Sequence, residues 1–191
     1  ISRDGIHWDR PCRELSFIPQ QPFSSGGIFT NATPVFLQDS IRFYYGGYTS
    51  GAIGGGSKLT DASQQSGVGL ATLPLDRFAG IRSVELSAQS TLKKPLKNIG
   101  QVTLKPLNLK DIQEITVNAD ATKGKIQVEL LTAAGFRVPG FSKTDAKPLT
   151  GDSLTHPVGW KKQTLKDLPA GKYMLRLHLD HAEVFAVTLK N

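Results

Sequence analysis

Lys172-Tyr173-Met174-Leu175-Arg176-Leu177-His178-Leu179-Asp180 is the stretch that decides the fold class. Tyr173, Leu175, Leu177 and Leu179 alternate with Met174, Arg176, His178 and Asp180, the period of a strand that buries one face. Asp180-His181 reads as a turn, and Val184, Phe185, Val187 and Leu189 as the strand that follows. The same period occurs upstream, where Ile115, Val117 and Ala119 precede the turn-like Asp120-Ala121-Thr122-Lys123-Gly124. Ile126, Val128 and Leu130 then form an expected return strand that breaks at Gly135. Leu107 to Ile112 is too short for a helix, and no longer 3.6-residue period exists. The chain is therefore expected to be all-β, with a β-sandwich in its second part.

The first part also reads as strands. Ile41-Arg42-Phe43-Tyr44-Tyr45 is rich in β-branched and aromatic residues and is expected to end at Gly46-Gly47. Gly67-Val68-Gly69-Leu70-Ala71-Thr72-Leu73 is a second strand, closed by Pro74. Between them, Tyr48 to Ser66 is dominated by Gly, Ser, Thr and Gln and is expected to be a long flexible loop. Its Gly54-Gly55-Gly56 lacks the following helix and Lys-Ser/Thr pair of a phosphate cradle.

Composition divides the 191 residues near position 83. Residues 1–83 carry seven Lys+Arg against six Asp+Glu, and 84–191 carry sixteen against ten, so the net charge of +7 lies almost wholly in the second part. The first part has six Arg and one Lys; the second has fourteen Lys, Arg137 and Arg176. Two domains are expected, 1–83 and 84–191, joined around Ser83–Ser90. The lysines at 93, 94, 97, 105 and 110 are not interleaved with Arg or aromatics from Leu92 to Lys110. That pattern argues against nucleic acid and suits solvent-facing strand positions. No apolar run of about 18 residues exists, so no membrane partner is expected.

A single cysteine, Cys12, is expected to be a small, partly buried side chain rather than a nucleophile. His156, His178 and His181 have no Cys or carboxylate at metal spacing, and His178 and His181 read as solvated, so no metal or other cofactor is expected. Trp160 reads as a core or rim aromatic. Ile1 rather than Met opens the chain, which suggests a piece of something longer.

Ser2-Arg3-Asp4-Gly5-Ile6-His7-Trp8 is the most specific local motif. Asp4-Gly5 is a turn signal, and Ser2 and Trp8 are placed to flank a hairpin. Ser2 to Pro11, Ile41 to Tyr48 and Gly67 to Arg82 follow one another as in the last blades of five-bladed propellers, and the chain resembles glycoside hydrolase families 32 and 43. In such proteins G-L-A-T-L-x-x-D-x-F closes the propeller before a β-sandwich; Asp76 and Phe78 match, and Arg77 stands where Gly is frequent. The resemblance implies a remnant of the last propeller blade or blades in 1–83 and a β-sandwich in 84–191.

It also implies that the catalytic carboxylates lie in earlier blades. Asp4, Asp9, Asp39 and Asp76 read as turn or surface residues, so no catalytic residue is assigned here. The chain is expected to be a structural or accessory portion of a secreted or periplasmic carbohydrate-active protein. Its expected partners are a glycan, upstream blades or a second copy in an oligomer. The alternative is a stand-alone carbohydrate-binding or protein-interaction sandwich. Sugar sites stack pyranose faces on aromatic rings, so Tyr44, Tyr45, Tyr48 and Asp4 are the candidate ligand residues. Relatives often place a His shortly after the Tyr-Gly-Gly-Tyr segment, and none occurs here between Trp8 and His156.

Overall fold

The computed structural model describes residues 2, 4–10, 12–49, 65–83 and 99–191. The chain is all-β, as its periodicity predicts. It forms two compact units, Ile1–Leu73 and Pro74–Asn191. The division falls ten residues before the composition break at 83, because β5 (Ile81–Arg82) pairs with the final strand. Residues 50–64 of the expected Tyr48–Ser66 loop, residues 84–90 of the Ser83–Ser90 joining segment, and Lys93, Lys94 and Lys97 lie outside the described residues.

In the first unit, β1 (Gly27–Thr30) and β2 (Val35–Phe36) pair antiparallel with β3 (Ser40–Tyr48), and β4 (Ser66–Pro74) pairs β3 as well. Gly46-Gly47 does not end β3, contrary to the sequence reading. Both glycines stay in the ladder, opposite Phe29 and Ile28. Gly47 is needed there for space, since a Cβ would collide with Ser24 and Phe23. Ser24 ends a 3₁₀ turn (Pro22–Ser24), fully buried, and its Oγ accepts the Gln21 N–H at 2.8 Å.

The second unit is a seven-stranded antiparallel sheet that curls into a nearly closed, barrel-like form. Its strands are β5, β6 (Ile99–Thr103), β7 (Leu107–Asn108), β8 (Glu114–Thr132), β9 (Leu149–Pro157), β10 (Lys172–Asp180) and β11 (Glu183–Lys190). The two faces expected of a sandwich come from one sheet bent on itself. Asp120–Gly124 is not a hairpin turn, which corrects the sequence reading, whereas Asp180-His181 does turn the chain from β10 into β11. β8 runs through 19 residues, pairing its first half with β11 and its second with β10.

The turn-like residues make a corner instead. Against β9, Ala121 pairs Gly151 and Ile126 pairs Leu149, so β8 carries three extra residues in a bulge. The bulge shifts the phase of burial: Ile115, Val117, Ala119 and Ala121 face the core before it, and Ile126, Val128 and Leu130 after it. That phase shift is what resembles two strands in the sequence. On the facing strand pair the corner is made by His181, whose φ is 46°. Leu175, Leu177 and Leu179 of β10 complete the core at 1% exposure or less. Each such side chain contributes about 1.5–3 kcal/mol by leaving water.

Loops of this unit are closed by aspartates. Asp120 accepts the Thr122 hydroxyl and N–H, Asp145 those of Ser142, and Asp167 the N–H and hydroxyl of Thr164. These bonds hold all three carboxyls below the ordinary aspartate value of 3.8. A carboxyl depressed in the folded state contributes stability that is complete above its unfolded pKa and is lost as pH falls through its folded pKa. Thermal melts should therefore be flat from pH 6 down to about 4 as far as these groups are concerned, and fall below it. The triple variant Asp120→Asn, Asp145→Asn, Asp167→Asn should have a shallower acid limb; an unchanged limb would refute the assignment.

Candidate functional site

Alternation along β3 sorts the tyrosines. Ile41, Phe43, Tyr45 and Gly47 share one face, and Arg42, Tyr44, Gly46 and Tyr48 the other. Tyr45 is 6% exposed and stacks on Phe23 with centroids 6.0 Å apart, and Gly69 leaves the room that its ring fills. It is a packing residue of the first unit, which removes it from the candidate ligand surface. Tyr44 and Tyr48 stand on the opposite face, 39% and 40% exposed. β1 pairing puts Phe29 opposite Gly46 on that face, and its ring meets Tyr48 edge-on at 5.9 Å. Arg42 lies two residues before Tyr44, with Val35 directly opposite.

Val68 and Leu70 of β4 extend this surface, because their neighbour Gly69 faces Tyr45 on the other side. The result is a broad, mostly apolar sheet face with two exposed tyrosines, a phenylalanine and one guanidinium. Phe29 and the β4 residues are missed by sequence reasoning. Only the pairing register brings them beside the tyrosines, and no local pattern encodes that register.

Asp4 has a different duty. Its Oδ1 accepts the N–H groups of Ile6 at 2.9 Å and His7 at 2.8 Å, and its Oδ2 faces His7 Nδ1 at 2.7 Å. The His7 ring bond first, then the backbone N–H groups, hold its carboxyl far below the usual aspartate range. Ser2 Oγ accepts the Gly5 N–H at 2.8 Å, and Trp8 Nε1–H donates to the Gly5 carbonyl at 3.1 Å. The motif thus builds its turn, with Gly5 at φ 74°. Among the described residues around this turn no strand forms, and Trp8 is 71% exposed, which corrects the hairpin reading. Cys12, expected to be partly buried, is exposed.

Other polar groups are engaged in the second unit. Arg77 lies across Phe185, 4.6 Å from the ring centroid. It donates to Asn118 Oδ1 at 2.9 Å and pairs with the Asp152 carboxylate, while Asn118 donates to the Leu75 carbonyl at 2.7 Å. That clamp fixes the Leu75–Phe78 turn, where Asp76 has φ 59°. His178 is not solvated as expected. His156 is buried, with Nε2 3.2 Å from the Ala119 carbonyl. His178 Nε2 stands 2.9 Å from Glu129 Oε2, and Glu129 is 1% exposed. Arg137 Nε is 3.0 Å from Glu129 Oε1, an ion-pair distance without hydrogen-bond alignment. Trp160 is in the core as predicted, donating Nε1–H to the Val128 carbonyl at 3.0 Å.

Among the described residues no group of three His, Cys, Asp or Glu could hold a metal ion, and no helix is long and apolar enough to cross a membrane. No family model, curated protein or solved structure matches the chain.

Proposed function

We propose that this chain is the accessory, non-hydrolytic portion of a secreted or periplasmic carbohydrate-active protein. In this reading the first unit is blade material of a propeller, and the second is its companion β-domain. The observation that carries the reading is the exposed face of Tyr44, Tyr48 and Phe29, with Arg42 beside it. Aromatic faces take up the C–H surfaces of pyranose rings, and a guanidinium supplies donors to their hydroxyls. Asp4 is engaged in its own turn and Asp39 accepts the Ser40 hydroxyl, so neither supports general acid–base chemistry on a glycosidic bond.

The full chain should retard in native gels containing neutral polysaccharides. The double variant Tyr44→Ala, Tyr48→Ala should lose at least about tenfold in affinity, some 1.4 kcal/mol. Hydrolysis of aryl glycosides should not exceed the buffer blank. Retardation that survives the double variant, or hydrolysis lost on Asp4→Asn, would overturn the reading.

A further inference from the structure

We propose that the outer edge of β4 joins two copies of this chain, strand to strand and antiparallel, about a twofold axis at Gly69. This does not rest on the glycan reading; it follows from the edge itself. β4 runs nine residues and none of them is buried. Among the described residues its one strand partner is β3. The Thr49 N–H donates to the Gln65 carbonyl at 3.0 Å, which fixes the parity of the ladder. Gly67, Gly69, Ala71 and Leu73 turn their peptide groups toward β3, so Ser66, Val68, Leu70 and Thr72 turn theirs outward.

An edge of this kind is normally protected by a charge, a bulge or an internal proline. Ser66–Pro74 has no charged residue, and its proline is the last position. Val68 is 82% exposed and Leu70 50%. A second copy fits this edge for three reasons. With the axis at Gly69, Val68 lies opposite Leu70 of the second copy and Ser66 opposite Thr72, so apolar meets apolar and hydroxyl meets hydroxyl. That register leaves Pro74 beyond the ladder, whereas an axis at Leu70 would set Pro74 against Ser66 and forfeit a donor. Residues 1–73 hold five basic and five acidic side chains, so like charge does not oppose the approach of two first units.

Sedimentation velocity of the full chain across a concentration series tests this. A monomer–dimer equilibrium is expected. Leu70→Pro removes an outward N–H without touching the β3 ladder, and Val68→Lys places a charge on the edge at an exposed position. Each should weaken dimerisation at least tenfold, with the far-ultraviolet dichroism of Val68→Lys unchanged and its thermal midpoint equal to wild type at concentrations where both are monomeric. A chain that is monomeric at every concentration overturns the proposal, including the case in which another protein's strand occupies the edge. A dimer unaffected by Val68→Lys overturns it as well.

Discussion

Replacing Gly124 by valine is expected to prevent the second unit from reaching its native packing, a loss of about 4 kcal/mol or more. Gly124 sits in the bulge of β8, where the chain turns the corner of the sheet. A Cβ there would fall inside the Asp180 carbonyl, with the His181 Cβ also in contact. Both obstacles are held by the strand pairing of Lys125 with Asp180, so neither can retreat without opening the ladder. Gly151 is the useful contrast. It has φ 81° but nothing within 4 Å of a Cβ, so Gly151→Ala meets only backbone strain of about 1–2 kcal/mol. Urea unfolding followed by Trp160 fluorescence, in a Trp8→Phe background, separates the two. Equal midpoints for Gly124→Val and wild type would show that the corner is not closed by this contact.

The second large effect is expected at Glu129. Its carboxylate is buried on β8 between His178 and Arg137. Truncation by Glu129→Ala removes the acceptor for the His178 ring and opens a cavity, costing about 3 kcal/mol. Arg137 is 77% exposed and can return to water, so most of the loss belongs to the His178 side. A double-mutant cycle of Glu129→Ala with His178→Ala should give a coupling of about 1–3 kcal/mol. Additive losses would mean that the carboxylate is held by packing alone.

These two positions also mark where the sequence was and was not legible. Strand identity was readable in Tyr173–Leu179 and Ile115–Ala119, because a half-buried strand must alternate. The connections were not. Asp120–Gly124 has turn chemistry, and in isolation nothing distinguishes a hairpin from a bulge; the choice is made by β10 and β11, which pair along the two halves of β8 and meet at the His181 corner. Gly46-Gly47 misleads in the same way, since glycine placed for close packing against Phe23 resembles glycine placed to end a strand. For the candidate site, Tyr44, Tyr45 and Tyr48 were readable as a group of candidate aromatics. Parity required Tyr45 to oppose Tyr44, but which of the two was buried depended on Phe23 and Gly69. Phe29, Glu129 and Arg77 gained their roles from register and tertiary contact, which no local pattern encodes.

The most direct test of the proposed glycan platform is a backbone amide NMR titration of the full chain with soluble neutral oligosaccharides. Saturable shifts at Phe29, Arg42, Tyr44 and Tyr48, with Tyr45 and the second unit little affected, are the predicted result. Shifts confined to the second unit, or none at millimolar oligosaccharide of any linkage, would contradict it.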